Sequence, residues 1–173
     1  MFNFKNKDKS QKLLYNKIVL LSRNSKFYEK FNLDDTFQNR INLIFLHLSF
    51  IFIKLKLQRD SMVYKDFYQT MFDFSFRKIE LNMREIGHGD MSVNKNMKFL
   101  VKTFYNILLN CENYEEKSTS DKNLFLYKHL TNNKNDKGST KYDLSDYFDK
   151  YLAFCLDLRP DSVLKGDLNF NYK

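Results

Sequence analysis

The sequence predicts an all-α fold, one helical domain of about six to seven helices around a central helix at residues 35–58. Three observations carry that expectation. Asp35–Leu57 holds the longest apolar run in the chain, and on a helical wheel of about 100° per residue it shows two apolar faces. Ile41, Phe45, Leu48, Phe52 and Leu55 line one face; Leu43, Leu46, Phe50, Ile53 and Leu57 line the other. A surface helix needs a single apolar stripe, so a helix with two is expected to be packed on both sides. Most of the remaining apolar residues also recur at helical spacing. Finally, four glycines and one proline in 173 residues leave few places to turn, which suits long helices with short connections.

Residues 1–9 read as a flexible basic tail. Ser10 is the expected cap of a first helix to about Arg23, with Leu13, Leu14, Ile18 and Leu21 facing inward. Phe27, Tyr28 and Phe31 then dock as a single helical turn, and Asp34 or Asp35 caps the central helix. Narrow polar seams separate the two apolar faces of that helix: Arg40, His47 and Lys54 on one side, Asn42, Ser49 and Lys56 on the other. Residues 58–61 form a turn in which Asp60 or Ser61 caps a helix to about Ile86. Asp73–Arg77 and Glu80–Arg84 are spaced i,i+4 on its polar side, as expected of structural ion pairs. Gly87-His88-Gly89-Asp90 predicts a left-handed helix end and a tight turn, with Asp90 or Ser92 capping the next helix.

That next helix is expected to run to about Glu115, burying Met97, Val101, Phe104, Leu108 and Cys111 and showing a basic stripe of Lys95, Lys98 and Lys102. Helices at about 121–131 and 143–157 follow, separated by a loop at 131–141 and stopped by Pro160. The tail to Lys173 reads as irregular. One domain is expected, with no internal repeat and no linker to a second.

Composition restricts function more than it defines it. Cys111 and Cys155 fall in apolar helical patterns and read as core thiols, and the three histidines are scattered. No nucleophile with a matching base, no phosphate loop and no metal-spaced set is visible, so an enzyme is not expected and neither is a cofactor. The apolar part of the central run is shorter than the ~20 residues of a membrane span and no secretory signal precedes it, so the chain should be soluble or peripheral. A formal charge of +8, from 29 basic and 21 acidic residues, suits an anionic membrane surface or nucleic acid. Heavy Lys and Asn usage also fits AT-rich codons, which lowers the weight of any single Lys or Asn.

Several short motifs fall in a suggestive order. They are Leu14-Tyr15, Ile18-Val19, Arg23, Phe27-Tyr28, Asp35-Thr36, Arg40, Leu46-His47, Arg84, Gly87, Gly89, Asp90, Lys95, Lys98 and Phe104-Tyr105. In order and spacing, over roughly residues 13–115, this resembles the ubiquinol–cytochrome c chaperone family, whose members assist assembly of cytochrome bc1. The chain departs from that pattern at Asn106, where a glycine usually follows the Phe-Tyr pair, and its C-terminal third fits only loosely. The resemblance implies a non-enzymatic assembly factor with newly made cytochrome b as client. It also implies a small partner assembly factor, the ribosome and peripheral membrane contact as possible partners. The expected location is the cytoplasm or the cytoplasmic face of a bacterial inner membrane, or the matrix side in mitochondria. Arg23, Asp35, Thr36, Arg40, His47, Arg84, Gly87, Gly89, Asp90, Lys95, Lys98 and Tyr105 are the candidate partner-binding residues, and the expected client groove lies near the Arg84–Asp90 turn and the Arg40/His47 seam. A purely architectural account of Arg40, His47 and Asp90 stands beside it, with His47 donating to a carboxylate and Asp90 capping a helix. The alternative functions are a basic helical nucleic-acid-binding protein and a haem or lipid carrier bundle.

Overall fold

The computed structural model describes residues 4–57, 62–130 and 143–173. Eight helices are present among them: α1 (Phe4–Ser22), α2 (Ser25–Glu29), α3 (Phe37–Lys56), α4 (Met62–Glu85), α5 (Asp90–Glu112), α6 (Thr119–His129), α7 (Leu144–Asp157) and α8 (Pro160–Leu164). The described residues contain no strand, so the all-α expectation holds.

The central position of α3 follows from its sequence. Fourteen of its residues are buried, drawn from both apolar faces, and α1, α4, α5, α7 and α8 all pack against it. Its ring-rich side meets Phe76 and Phe104 through Phe45, with centroids 5.4 and 5.3 Å apart. On the other side Phe50 meets Tyr114 at 5.1 Å and Phe148 at 5.8 Å. Leu57, expected in the second face, sits past the last turn and is exposed. α6 is held at one remove, packed on α7. It is also tied to α3 by a hydrogen bond from Asn42 Nδ2 to the His129 carbonyl, 2.6 Å.

Several local expectations are corrected. The first helix starts at Phe4, so Ser10 lies within it and is no cap, and only residues 1–3 of the expected tail lie outside the described residues. Leu13, expected to face inward, is exposed. Neither Asp34 nor Asp35 caps α3; Thr36 does, its Oγ1 accepting from the Asn39 amide at 3.1 Å. The β-branched hydroxyl sits one residue nearer the first turn, which frees Asp35 to pair outward. The buried face of α5 is turned relative to the expectation and centres on Val93, Leu100, Phe104, Ile107 and Cys111, while Met97, Val101 and Leu108 are half-buried. Asp73 accepts a hydrogen bond from Gln69, 3.1 Å, in place of the expected pairing with Arg77. The expected caps Asp60 and Ser61 and the loop at 131–141 lie outside the described residues.

Pro160 does end α7, and it also opens α8 as its first residue. The segment after α8 is irregular as expected, yet it is laid onto the core, with Leu168 and Tyr172 buried. Three lysines, Lys26, Lys30 and Lys150, stand 5.0 Å from the Tyr172 ring, whose hydroxyl donates to Asp146 at 2.8 Å. Cys111 and Cys155 are free and buried, and burial pushes the Cys155 thiol up to about 12.

Candidate functional site

The candidate residues fall into three groups. His47 belongs to the core: it is fully buried in the middle of α3, ringed by Phe27, Tyr147, Phe148 and Tyr151. Its Nδ1 lies 2.7 Å from the Leu43 carbonyl, and its Nε2 lies 2.7 Å from the Tyr147 hydroxyl. A carbonyl can only accept, so Nδ1 carries the proton and Nε2 accepts from Tyr147. The expected carboxylate partner is therefore replaced by a tyrosine. Burial lowers the His47 pKa to about 4, so the ring is neutral at physiological pH. Lys54, next along the seam, donates to the Leu156 carbonyl at the end of α7. Two of the three seam residues thus join α3 to α7.

Arg40, the third, does not follow them. Its side chain is exposed and holds Asp35 with two hydrogen bonds, 2.7 and 2.8 Å. That guanidinium keeps the Asp35 carboxyl below the usual carboxylate range. Arg40 also edges a cleft of about 260 Å³ between α1, α3 and α4. Tyr15, Val19 and Arg23 come from α1 and its end, Phe37, Ile41 and Ile44 from α3, and Asn82, Glu85 and Ile86 from the end of α4. Arg23 forms no ion pair among the described residues, and the buried Tyr15 hydroxyl has no hydrogen-bond partner among them. Ile86 is exposed at the edge. The cleft thus combines apolar side chains with two guanidinium groups, Arg40 held by Asp35 and Arg23 without an ion pair among the described residues, and with the Glu85 carboxylate. It brings Arg23 and Arg40 together beside the Gly87 turn, while His47 of the expected seam lies in the core away from it. Asn82 and Ile86 carry no signal in the sequence, because the surface they share with Tyr15 exists only once three helices meet.

The turn itself is built as the glycines predict. Gly87 has φ +97°, the His88 amide donates to the Met83 carbonyl at 3.1 Å and the Gly87 amide to the Arg84 carbonyl at 3.0 Å, a Schellman ending of α4. Gly89, the N-cap of α5, has φ −73°, and a Cβ there would meet nothing within 4 Å. Asp90 is the first residue of α5 and caps nothing; it pairs with Arg84, which also binds Glu80 at 2.9 Å. Arg84 therefore fastens the end of α4 to the start of α5 across the turn. The remaining candidates, Lys95, Lys98 and Tyr105, lie exposed on the outward side of α5 and line no part of the cleft.

Among the described residues no helix is long and apolar enough to cross a membrane. No curated protein matches the chain. The model of the ubiquinol-cytochrome C chaperone family matches residues 29–170. The chain belongs to the ubiquinol-cytochrome C chaperone family. The family match takes in α3 to α8 and most of the tail, so the C-terminal third is part of it, whereas Leu14, Arg23 and Phe27 precede it. A solved structure described as the Cbp3 homolog from Brucella abortus has a similar fold, with a TM-score of 0.78 and 20% sequence identity over 97% of this chain and 92% of that one. Family membership makes a chaperone role the reading of the molecule.

Proposed function

We propose that this chain is a non-enzymatic assembly chaperone of the cytochrome bc1 complex that holds newly made cytochrome b until it is assembled. Membership of the ubiquinol-cytochrome C chaperone family is the observation that carries this reading. The client surface in this proposal is the cleft between α1, α3 and α4, with Arg23 and Arg40 engaging acidic side chains of the client and Ile41, Ile44 and Ile86 its apolar ones. Asp35 and Thr36 serve that surface indirectly, by orienting Arg40 and starting α3. Gly87, Gly89 and the Arg84–Asp90 pair set the rim. A small partner assembly factor, the ribosome and the cytoplasmic or matrix face of the membrane that receives cytochrome b are the remaining proposed contacts.

Deletion in the native organism, followed by bc1 activity and the cytochrome b spectrum, tests the function. Loss of both is expected, and normal values after deletion would sink the proposal. Complementation with Arg23→Glu/Ile86→Glu tests the surface. Both residues are exposed, so the variant should fold as judged by circular dichroism yet leave cytochrome b depleted. Full rescue by that variant moves the client site away from the cleft.

A further inference from the structure

A second groove lies toward the other end of α3, away from the cleft. It opens where α3 ends, α4 begins and α5 ends, and its volume is about 320 Å³. Phe52, Leu55, Tyr64, Tyr68 and Leu108 give it an apolar wall, and Lys56 and Lys65 also line it. Lys56 is paired with Glu112, while Lys65 has no ion-pair partner among the described residues. Leu57, Val63 and Leu109, each next to a lining residue in sequence, are exposed at 65%, 48% and 63%, and Met62, beside Val63, at 77%. These exposed apolar residues belong to the same three helix ends that frame the groove.

The outward side of α5 continues this face. Met91, Lys95, Lys98, Lys102, Tyr105 and Leu109 recur at alternating steps of four and three, within an arc of about 80°. All six are exposed, and the three lysines form no ion pair among the described residues. Unpaired lysines flanked by exposed Met, Tyr and Leu are the composition of a helix face that lies at a lipid–water boundary, where long stems reach up to the headgroups while apolar side chains point down.

We propose that this end of the bundle and the outward stripe of α5 dock on an anionic bilayer, with the groove taking an acyl chain of an anionic lipid. The inference rests on the proposed role beside a membrane-protein client. Charge complementarity favours this occupant: the chain carries a formal charge of +8, and Lys65, Lys98 and Lys102 are free to meet phosphate. Nucleic acid fits the lysines but not Leu57, Met62, Val63 and Leu109, since bases stack on aromatic rings and aliphatic side chains offer them nothing.

The test is co-sedimentation of the full chain with phosphatidylcholine vesicles, with and without phosphatidylglycerol. Binding is expected only with phosphatidylglycerol, and it should weaken as salt is added. Lys65→Glu/Lys98→Glu/Lys102→Glu should lower the affinity about tenfold or more. Met62→Ser/Leu109→Ser should lower it several-fold while leaving the circular dichroism spectrum intact. Absence of binding to phosphatidylglycerol vesicles overturns the proposal. So does competition by inorganic phosphate alone, which would mark a plain anion site, or displacement by polyuridylic acid, which would mark a nucleic-acid surface. Unchanged binding of the Met62/Leu109 variant removes the acyl chain from the groove. Because the readout is a purified chain on vesicles, its failure leaves the deletion test of the chaperone role unaffected, and the reverse also holds.

Discussion

Gly87 and Gly89 stand two residues apart in one motif, and the backbone asks different things of them. Gly87 sits at φ +97°, where a Cβ costs about 1–2 kcal/mol, so Gly87→Ala should lower the urea midpoint accordingly. Gly89 sits at φ −73° with open space around it, so Gly89→Ala meets no strain and costs only alanine's weaker N-cap preference, about 0.5–1 kcal/mol. A strong loss of cytochrome b with stable Gly89→Ala protein would then report a partner approaching the backbone there. His47 gives a prediction in pH. An unfolded histidine protonates near 6.5, and the buried ring only near 4. Between these values the unfolded chain binds more protons, so the contribution of His47 is complete above pH 6.5 and is lost as pH falls toward 4. The loss approaches about 3 kcal/mol. Denaturant midpoints across this range should fall less steeply in His47→Gln than in the parent chain; parallel curves would show that His47 is not the group responsible.

The helix starts and stops show what local sequence can and cannot announce. The bounds of α3, α4, α6 and α7 lie within two residues of those read from the periodicity, because their apolar spacing and the Gly87 and Pro160 punctuation act locally. Caps were less legible. Asp34, Asp35 and Thr36 are all good N-caps, and the choice of Thr36 was made by Asp35 turning to Arg40. Thr36→Ala should therefore cost about 0.5–2 kcal/mol in denaturant unfolding, and Asp34→Ala almost nothing by the same route. The face of α5 was misjudged for a related reason. Its apolar residues nearly encircle the helix, and only the approach of α3 and α4 selected Val93, Leu100 and Ile107 over Met97 and Val101.

For the molecule as a whole, α3 and the tail are the two ends of a hierarchy of burial. α3 is packed on both sides, and its interior placement was readable from two apolar faces on one helix. The tail has no periodicity to read, yet Leu168 and Tyr172 are buried, with Tyr172 against Phe31 at 6.2 Å and Tyr147 of α7 at 5.0 Å. Gly166, at φ +74°, makes that path possible, since a Cβ there would lie 2.6 Å from the Ser10 carbonyl oxygen. Truncation after Gly166 should therefore destabilise the whole bundle by on the order of 3 kcal/mol, from two large side chains returned to water. A chain truncated there with an unchanged unfolding midpoint would show the tail to be an ornament of the surface.

Sequence alone determined the class, the helices and the central place of Asp35–Leu57, because periodicity, turn residues and caps act over a few residues. It also placed Arg23, Arg40 and the Gly87 turn among the candidates. Tertiary structure decided which way each polar side chain of α3 points. His47 and Lys54 turned inward to Tyr147 and Leu156, while Arg40, at the exposed end of the same seam, turned outward to Asp35 and the cleft. Residues seven apart share one side of a helix, but what that side meets changes along its length as neighbouring helices begin and end.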